Sequence, residues 1–318
     1  LFKIHDGFES EGVIELQTEV ISLLSGQLPA LKFPDSHINE RGESLTRVVD
    51  DNGSPHFCRL LNYVPGELLK DVRGNDSQLL FNLGEILGKT DAALAGFSHS
   101  AANRSNLPWD MKNTHSVMPL TQFIDAPAKR RLVEYFFSQY DTKVYRSLLE
   151  QRMSVVHGDM HARSALVETG ADGEKFISGI IDFGDTVFTY TVCNIATAAA
   201  DALIDSNNPL EDASEVIRGY HQAWPLTVEE ISLLYYLMAI RLCIYVCMAA
   251  FTRHTKPDNA HVSLKELSAW KAIRYLLKLN PIAAQAKILE KCGFESREAT
   301  FHADVKAMMD EGNTLAKE

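Results

Sequence analysis

The sequence predicts an α+β protein of two lobes: a small strand-rich lobe over residues 1–66 and a larger, mainly helical lobe over residues 67–318. Three observations lead there. Short strand-like runs and an Asn-Gly turn mark the first 66 residues. From residue 77 onward, apolar residues recur at helical spacing through most of the chain. In the middle, two short apolar runs each lead into a glycine-bearing turn that carries an aspartate, Asp159 in one and Asp182 in the other.

Residues 1–5 read as a strand. Val13, Leu16, Val20, Leu23 and Leu24 then share one helical face over residues 11–24, and Gly26 stops that helix. Two strand-like runs follow at residues 44–49 and 57–63. Between them Asn52-Gly53 predicts a hairpin, because both residues tolerate positive φ. Val64-Pro65-Gly66 reads as a hinge between the lobes. Residues 77–97 form an amphipathic helix with Asp76 or Ser77 as its cap. Residues 98–106 read as loop and 130–150 as helix. Short strands are expected at 154–156, 165–167 and 176–181, with a turn at 170–173. Helix resumes after Thr191 and runs to about residue 307, with a frayed end beyond.

Composition narrows the function classes. The formal net charge is −11, which argues against nucleic acid or an anionic membrane as the main partner. Five scattered cysteines, Cys58, Cys193, Cys243, Cys247 and Cys292, read as reduced thiols of a cytoplasmic protein rather than a disulfide framework. Cys243 and Cys247 lie four apart on an apolar helix; without further ligands nearby, core packing outweighs a metal site. The apolar stretch at residues 231–251 has the length of a membrane span. Arg241 in its middle makes a buried core helix the better reading. There is no Gly-x-Ser-x-Gly elbow, no Walker loop and no dinucleotide fingerprint.

The chemistry-bearing signal is Val155-Val156-His157-Gly158-Asp159, followed 23 residues later by Ile181-Asp182-Phe183-Gly184-Asp185. Two strand-end aspartates on adjacent turns can converge on one cleft. Phosphoryl transfer needs that arrangement: one carboxylate orients the attacking hydroxyl and takes its proton, the other holds Mg²⁺ against nucleotide phosphates.

These two motifs resemble the aminoglycoside phosphotransferase and choline kinase-like superfamily, relatives of the protein kinases. The resemblance implies a two-lobed protein-kinase-like fold, with Asp159 as catalytic base and Asp182 as Mg²⁺ ligand. It makes Phe2-Lys3-Ile4 the strand whose Lys3 touches the nucleotide phosphates. Gln17, with Glu15 close by, falls where the first helix offers Lys3 a partner. The run from Arg59 to Gly66 becomes the adenine-side hinge, with Leu61 and Tyr63 at the nucleotide. The closest branch is that of the hydroxylysine kinases, on Glu15-Leu16-Gln17, the hinge, Ile180 to Thr186, Pro225-Leu226-Thr227 and Arg241-Leu242-Cys243.

The implied activity is transfer of the γ-phosphate of ATP or GTP, with Mg²⁺, to a hydroxyl of a small amine-bearing metabolite such as 5-hydroxylysine. Trp109 and Asp110 pair an aromatic face with a carboxylate, which suits an ammonium group. A buried tryptophan beside a capping aspartate explains them equally well. Asp185 is assigned either to its own loop or to substrate, and His157 to bracing the loop.

Two departures from the family pattern favour an alternative, a catalytically degenerate kinase fold that binds a metabolite or protein partner. Ser164 stands where the family has an asparagine that ligates a second Mg²⁺, and a hydroxyl is the weaker ligand. The glycine-containing phosphate loop and its two strands are expected before Lys3, so the first lobe reads as incomplete and the strand at residues 1–4 as an exposed edge.

Overall fold

A computed structural model describes residues 1–5, 9–72, 76–256 and 263–294. The expected helix end near residue 307 and the frayed terminus lie outside them.

The first lobe is a small antiparallel sheet backed by one helix. Strand β1 (Phe2–His5) is followed by α1 (Glu11–Gln27), then β2 (Ser36–His37), β3 (Thr46–Val49) and β4 (Pro55–Leu61). β4 is central: β1 pairs along one side, β3 and then β2 along the other. The expected hairpin joins β3 and β4. Only Gly53 takes positive φ there (82°), and Asn52 does not. Asp50 does the work expected of Asn52: its Oδ1 accepts the amides of Asn52 and Ser54.

Past Gly66 the chain enters the second lobe. β5 (Glu67–Leu68) joins the edge of a small sheet, and α2 (Ser77–Leu94) follows, capped by Asp76 through the Gln78 amide. Short α3 (Thr114–Val117) leads to α4 (Pro127–Gln139) and α5 (Tyr145–Leu148). The single helix expected over 130–150 is broken by a π-turn at Tyr140–Val144. β6 (Met153–Val156), β7 (Ala165–Thr169), β8 (Lys175–Ile180) and β9 (Val187–Tyr190) come next. They form two separate ladders, β5-β7-β8 and β6-β9.

The remainder is helical: α6 (Thr191–Ala202), α7 (Pro209–Ala223), α8 (Val228–Thr255), α9 (Ser263–Lys278) and α10 (Pro281–Lys291). Thr227 and Glu230 close a capping box at the start of α8. This is the long apolar helix noted in the sequence. It is mostly buried among α6, α9 and α4, as a core helix is. Cys243 and Cys247 lie within it as free buried thiols, and burial pushes Cys247 up to about 12.

One buried cluster runs from Leu16 and Leu24 of α1, through Leu83 and Leu87 of α2, to α6, α8 and Trp270 of α9. Within it α2 and α7 cross at backbone contact. A Cβ on Gly84 would stand 1.8 Å from the Val216 carbonyl oxygen, and one on Gly219 would stand 1.9 Å from that of Phe81.

Besides the packing of α1 in that cluster, two backbone junctions link the lobes among the described residues. The hinge is one junction, where Gly66 (φ 133°) lies against Leu166 and Val167. The other is Lys32, which makes an isolated parallel bridge to Gly179: its amide donates to the Ser178 carbonyl (2.9 Å) and its carbonyl accepts from the Ile180 amide (3.0 Å). Its ammonium also pairs with Glu168.

Candidate active site

The two glycine-bearing turns leave different sheets and meet. β6 runs into His157-Gly158-Asp159, and β8 into Asp182-Phe183-Gly184-Asp185. Gly158 sits at φ 84°, which L side chains avoid. A Cβ there would stand 2.2 Å from the Asp185 carbonyl oxygen, so the second turn presses directly on the first. His157 is fully buried. Its Nε2 donates to the Ile181 carbonyl (3.1 Å), and its Nδ1 accepts from the Asp159 amide (3.3 Å). That pattern needs the neutral ring, and burial lowers the His157 pKa in the same sense. The ring also lies 4.7 Å from that of Phe183, so His157 ties the two turns together.

Below them runs a buried polar chain. The Gly158 amide donates to Asn194 Oδ1 (3.2 Å), Asn194 Nδ2 donates to Asp91 Oδ1 (2.8 Å), and the Tyr220 hydroxyl donates to Asp91 Oδ2 (2.7 Å). Asp91 comes from α2, Asn194 from α6 and Tyr220 from α7. The crossed helices thus fix the height of the Asp159 turn.

Three carboxylates gather at the cleft. Asp182 takes a left-handed conformation (φ 69°) and is exposed. A non-glycine residue held there is strained, and such strain concentrates at functional positions. Asp185 makes no hydrogen bond among the described residues. Burial, then the charge of Asp159, pushes it up to about 6. Asp159 goes the other way. Burial opposes its ionisation, but the His161 hydrogen bond and the Arg241 charge hold it well below the usual carboxylate range.

Hard carboxylate oxygens suit Mg²⁺. Among the described residues no three His, Cys, Asp or Glu side chains form a complete metal cage. Mg²⁺ seldom needs one, since it binds through one or two carboxylates together with phosphates and water. Asp182 and Asp185 fit that pattern. Ser164 does so less well: its hydroxyl is buried and held inside the loop. It accepts the His161 amide (2.8 Å) and lies 3.0 Å from the Asp159 carbonyl.

Of the residues expected at the acceptor, Asp110 caps a short turn through the Lys112 amide (3.0 Å) and accepts the Thr189 hydroxyl (2.7 Å). It is buried, as a capping aspartate would be. Trp109 is half-buried. Its carbonyl accepts from Arg241 Nη1 (2.9 Å), and its ring lies 5.1 Å from the Arg241 guanidinium. Arg241, from the middle of α8, also donates through Nη2 to Asp159 Oδ1. His161 Nε2 stands 3.3 Å from the other oxygen, Oδ2. Both oxygens of Asp159 are therefore engaged.

Of the residues expected at the nucleotide, Lys3 is half-buried in β1, and Leu61 and Tyr63 lie at the hinge, Leu61 buried and Tyr63 exposed. The expected pairing of Gln17 with Lys3 is corrected. Gln17 is buried on α1 and accepts from Arg59 Nη2, while its own amide donates to Glu9 (3.1 Å). Arg59 stands opposite Lys3 in the ladder and is 4% exposed, so its guanidinium is the cation that reaches the helix. Lys3 makes no hydrogen bond or salt bridge among the described residues.

Arg241, Asn194, Asp91 and Arg59 were not read from the sequence as site residues. Arg241 alone had a signal, a lone cation inside an apolar helix. Such a charge must find a partner within the protein.

Residues 3–227 match the phosphotransferase enzyme family (APH). Over 300 residues the chain is 26% identical to a hydroxylysine kinase of Mus musculus, covering 90% of this chain and 77% of that protein. Over 301 residues it is 29% identical to one of Xenopus laevis, covering 90% and 78%. Among solved structures it is similar to an amicoumacin kinase in complex with AMP-PNP, Ca²⁺ and Ami. The TM-score is 0.65 at 16% identity, with 89% of this chain and 84% of that chain covered.

Proposed function

The chain belongs to the phosphotransferase enzyme family, and from that premise we propose that it moves the γ-phosphate of ATP or GTP to the hydroxyl of 5-hydroxylysine or a closely related amine-bearing metabolite. The observation that carries this reading is the meeting of the Asp159 and Asp182 turns, locked by His157 and by the contact of Gly158 with Asp185. Two curated relatives named hydroxylysine kinase support the choice of acceptor.

In this reading residues 1–66 hold the nucleotide and residues 67–318 carry the chemistry and the acceptor. Asp159 accepts the proton of the acceptor hydroxyl as its oxygen attacks the γ-phosphorus. The bond to the β-phosphate oxygen breaks, and its electron pair leaves with the nucleoside diphosphate. Asp182 holds Mg²⁺, with Asp185 beside it. Ser164 serves as a weak second ligand only if its hydroxyl leaves its loop partners. When bound, Mg²⁺ supplies the charge that neutralises the phosphates. Lys3, opposite Arg59 in the ladder, meets the nucleotide phosphates, and Gln17 holds Arg59 to α1. Leu61 and Tyr63 flank the base. Trp109, Asp110 and Asp185 border the acceptor.

Thermal unfolding with ATP or GTP, each with and without Mg²⁺, tests the cleft, because a ligand bound only to the folded state raises Tm. A Mg²⁺-dependent rise followed by phosphate transfer to 5-hydroxylysine is the expected result. A well-folded sample with no rise at millimolar nucleotide refutes the kinase reading and favours the degenerate-fold alternative.

A further inference from the structure

Arg241 stands against the carboxylate assigned above as the base. Its guanidinium covers Asp159 Oδ1, while His161 attends Oδ2. Each Asp159 oxygen keeps a second lone pair, but the ion pair with Arg241 ties up the negative charge that would take the proton, so drawing Arg241 away would strengthen the base before transfer. Arg241 is itself mostly enclosed, its side chain 12% exposed, held by the Trp109 carbonyl and ring. Other cations stand close. Arg104 donates to the Gly184 carbonyl (2.6 Å) and Lys112 to the Phe188 carbonyl (2.6 Å). Lys112 is paired with Asp110 (3.6 Å) and three carboxylates face the same cleft, so an ammonium group is not excluded; Arg241 is the group that would distinguish an acceptor with a carboxylate from one without. One carrying a carboxylate offers Arg241 a planar partner able to accept two parallel N–H bonds, where Asp159 accepts one.

We propose that Arg241 is the receptor for a carboxylate on the acceptor, and that its passage from Asp159 to that carboxylate uncovers the base. The inference rests on the kinase reading above and narrows it: the acceptor is a hydroxylated amino acid, and the free carboxylate is required. The exchange itself makes and breaks only ion pairs. The acceptor carboxylate displaces the Asp159 carboxylate on one guanidinium, and charge is conserved.

Two readouts separate this inference from the kinase reading. The first needs no turnover. Thermal shifts are measured with L-lysine and L-homoserine, and with cadaverine, which lacks the carboxylate. The wild-type protein is expected to be stabilised by at least one amino acid and not by the diamine, and R241M to lose that shift while its Mg²⁺–nucleotide shift is unchanged. The absence of any amino-acid shift, or the same shift in R241M, overturns the proposal; so does a loss confined to the nucleotide shift.

The second readout is steady-state kinetics with 5-hydroxylysine against its decarboxylated amino alcohol. The wild-type kcat/KM should favour 5-hydroxylysine on the order of 10²-fold, the range of one charged hydrogen-bonded contact. In R241M that preference should vanish through a rise in KM for 5-hydroxylysine that the amino alcohol does not share, with any change in kcat common to both acceptors. Equal losses for both acceptors overturn the proposal. If R241M does not fold, R241K keeps the charge without the bidentate fork, and the wild-type comparison of the two acceptors decides alone. No turnover of either acceptor refutes the kinase reading, while the amino-acid shift still reports on the carboxylate site.

Discussion

Asp91 is a carboxyl group sealed between three helices, accepting from Asn194 and Tyr220 and fully buried. Burial raises its pKa from 3.8 to about 7. The sign follows from linkage. Between those two values the unfolded chain has lost the proton and the folded protein keeps it, so stability is full below 3.8 and falls as pH rises towards about 7. A shift of about 3 units corresponds to about 4 kcal/mol lost by pH 8. Asp91→Asn has nearly the same shape and mimics the protonated acid. Its Oδ1 accepts from Asn194 and its amide donates to the Tyr220 oxygen. The variant lacks the ionisation, so its stability relative to wild type should improve by about 2–3 kcal/mol between pH 5 and pH 8, then level off. Urea unfolding of both proteins at several pH values measures this difference, with other titrating groups cancelling between them. A stability difference that does not change with pH refutes the reasoning. A difference that grows toward low pH would reverse the assigned sign.

Four further outcomes are expected. Asp159→Asn should lower kcat on the order of 10²- to 10⁴-fold while leaving the Mg²⁺–nucleotide shift in Tm near wild type, measured by steady-state kinetics and thermal unfolding. Asp182→Ala should abolish the part of that shift that depends on Mg²⁺ and leave the metal-free part; an unchanged Mg²⁺ response would remove Asp182 from the metal. Gly84→Ala forces a Cβ to 1.8 Å from the Val216 carbonyl oxygen and should cost about 3 kcal/mol or more of unfolding free energy. Gly26→Ala, on an exposed helical position with open space around it, should be neutral or gain up to about 1 kcal/mol.

The parts of this protein that were legible in the sequence are those written locally. His157-Gly158-Asp159 and Asp182-Phe183-Gly184-Asp185 each fit within a few residues, and the strand before each turn shows as an apolar run. The lobe order, the α1 and α2 helices and the Asp50–Ser54 hairpin were readable for the same reason. What the sequence hid are contacts between distant stretches. Arg59 and Gln17 are 42 positions apart, and neither flank says that an arginine, rather than Lys3, reaches the helix. Arg241 lies 82 positions from Asp159. Its mid-helix charge signalled an internal partner but not which one. The Asp91–Asn194–Tyr220 chain uses residues that read individually as ordinary helix positions. The π-turn at Tyr140–Val144 has no composition mark, since each of its residues is an acceptable helix former or nearly so.

The Lys32 bridge has a mechanical consequence. Its amide and carbonyl pair with Ser178 and Ile180, so the chain that leaves α1 is tied by backbone to the strand that ends just before Asp182. α1 itself lies in the buried cluster it shares with α2. A shift of α1 against that cluster would therefore pull directly on the base of the Asp182 turn, without passing through the hinge.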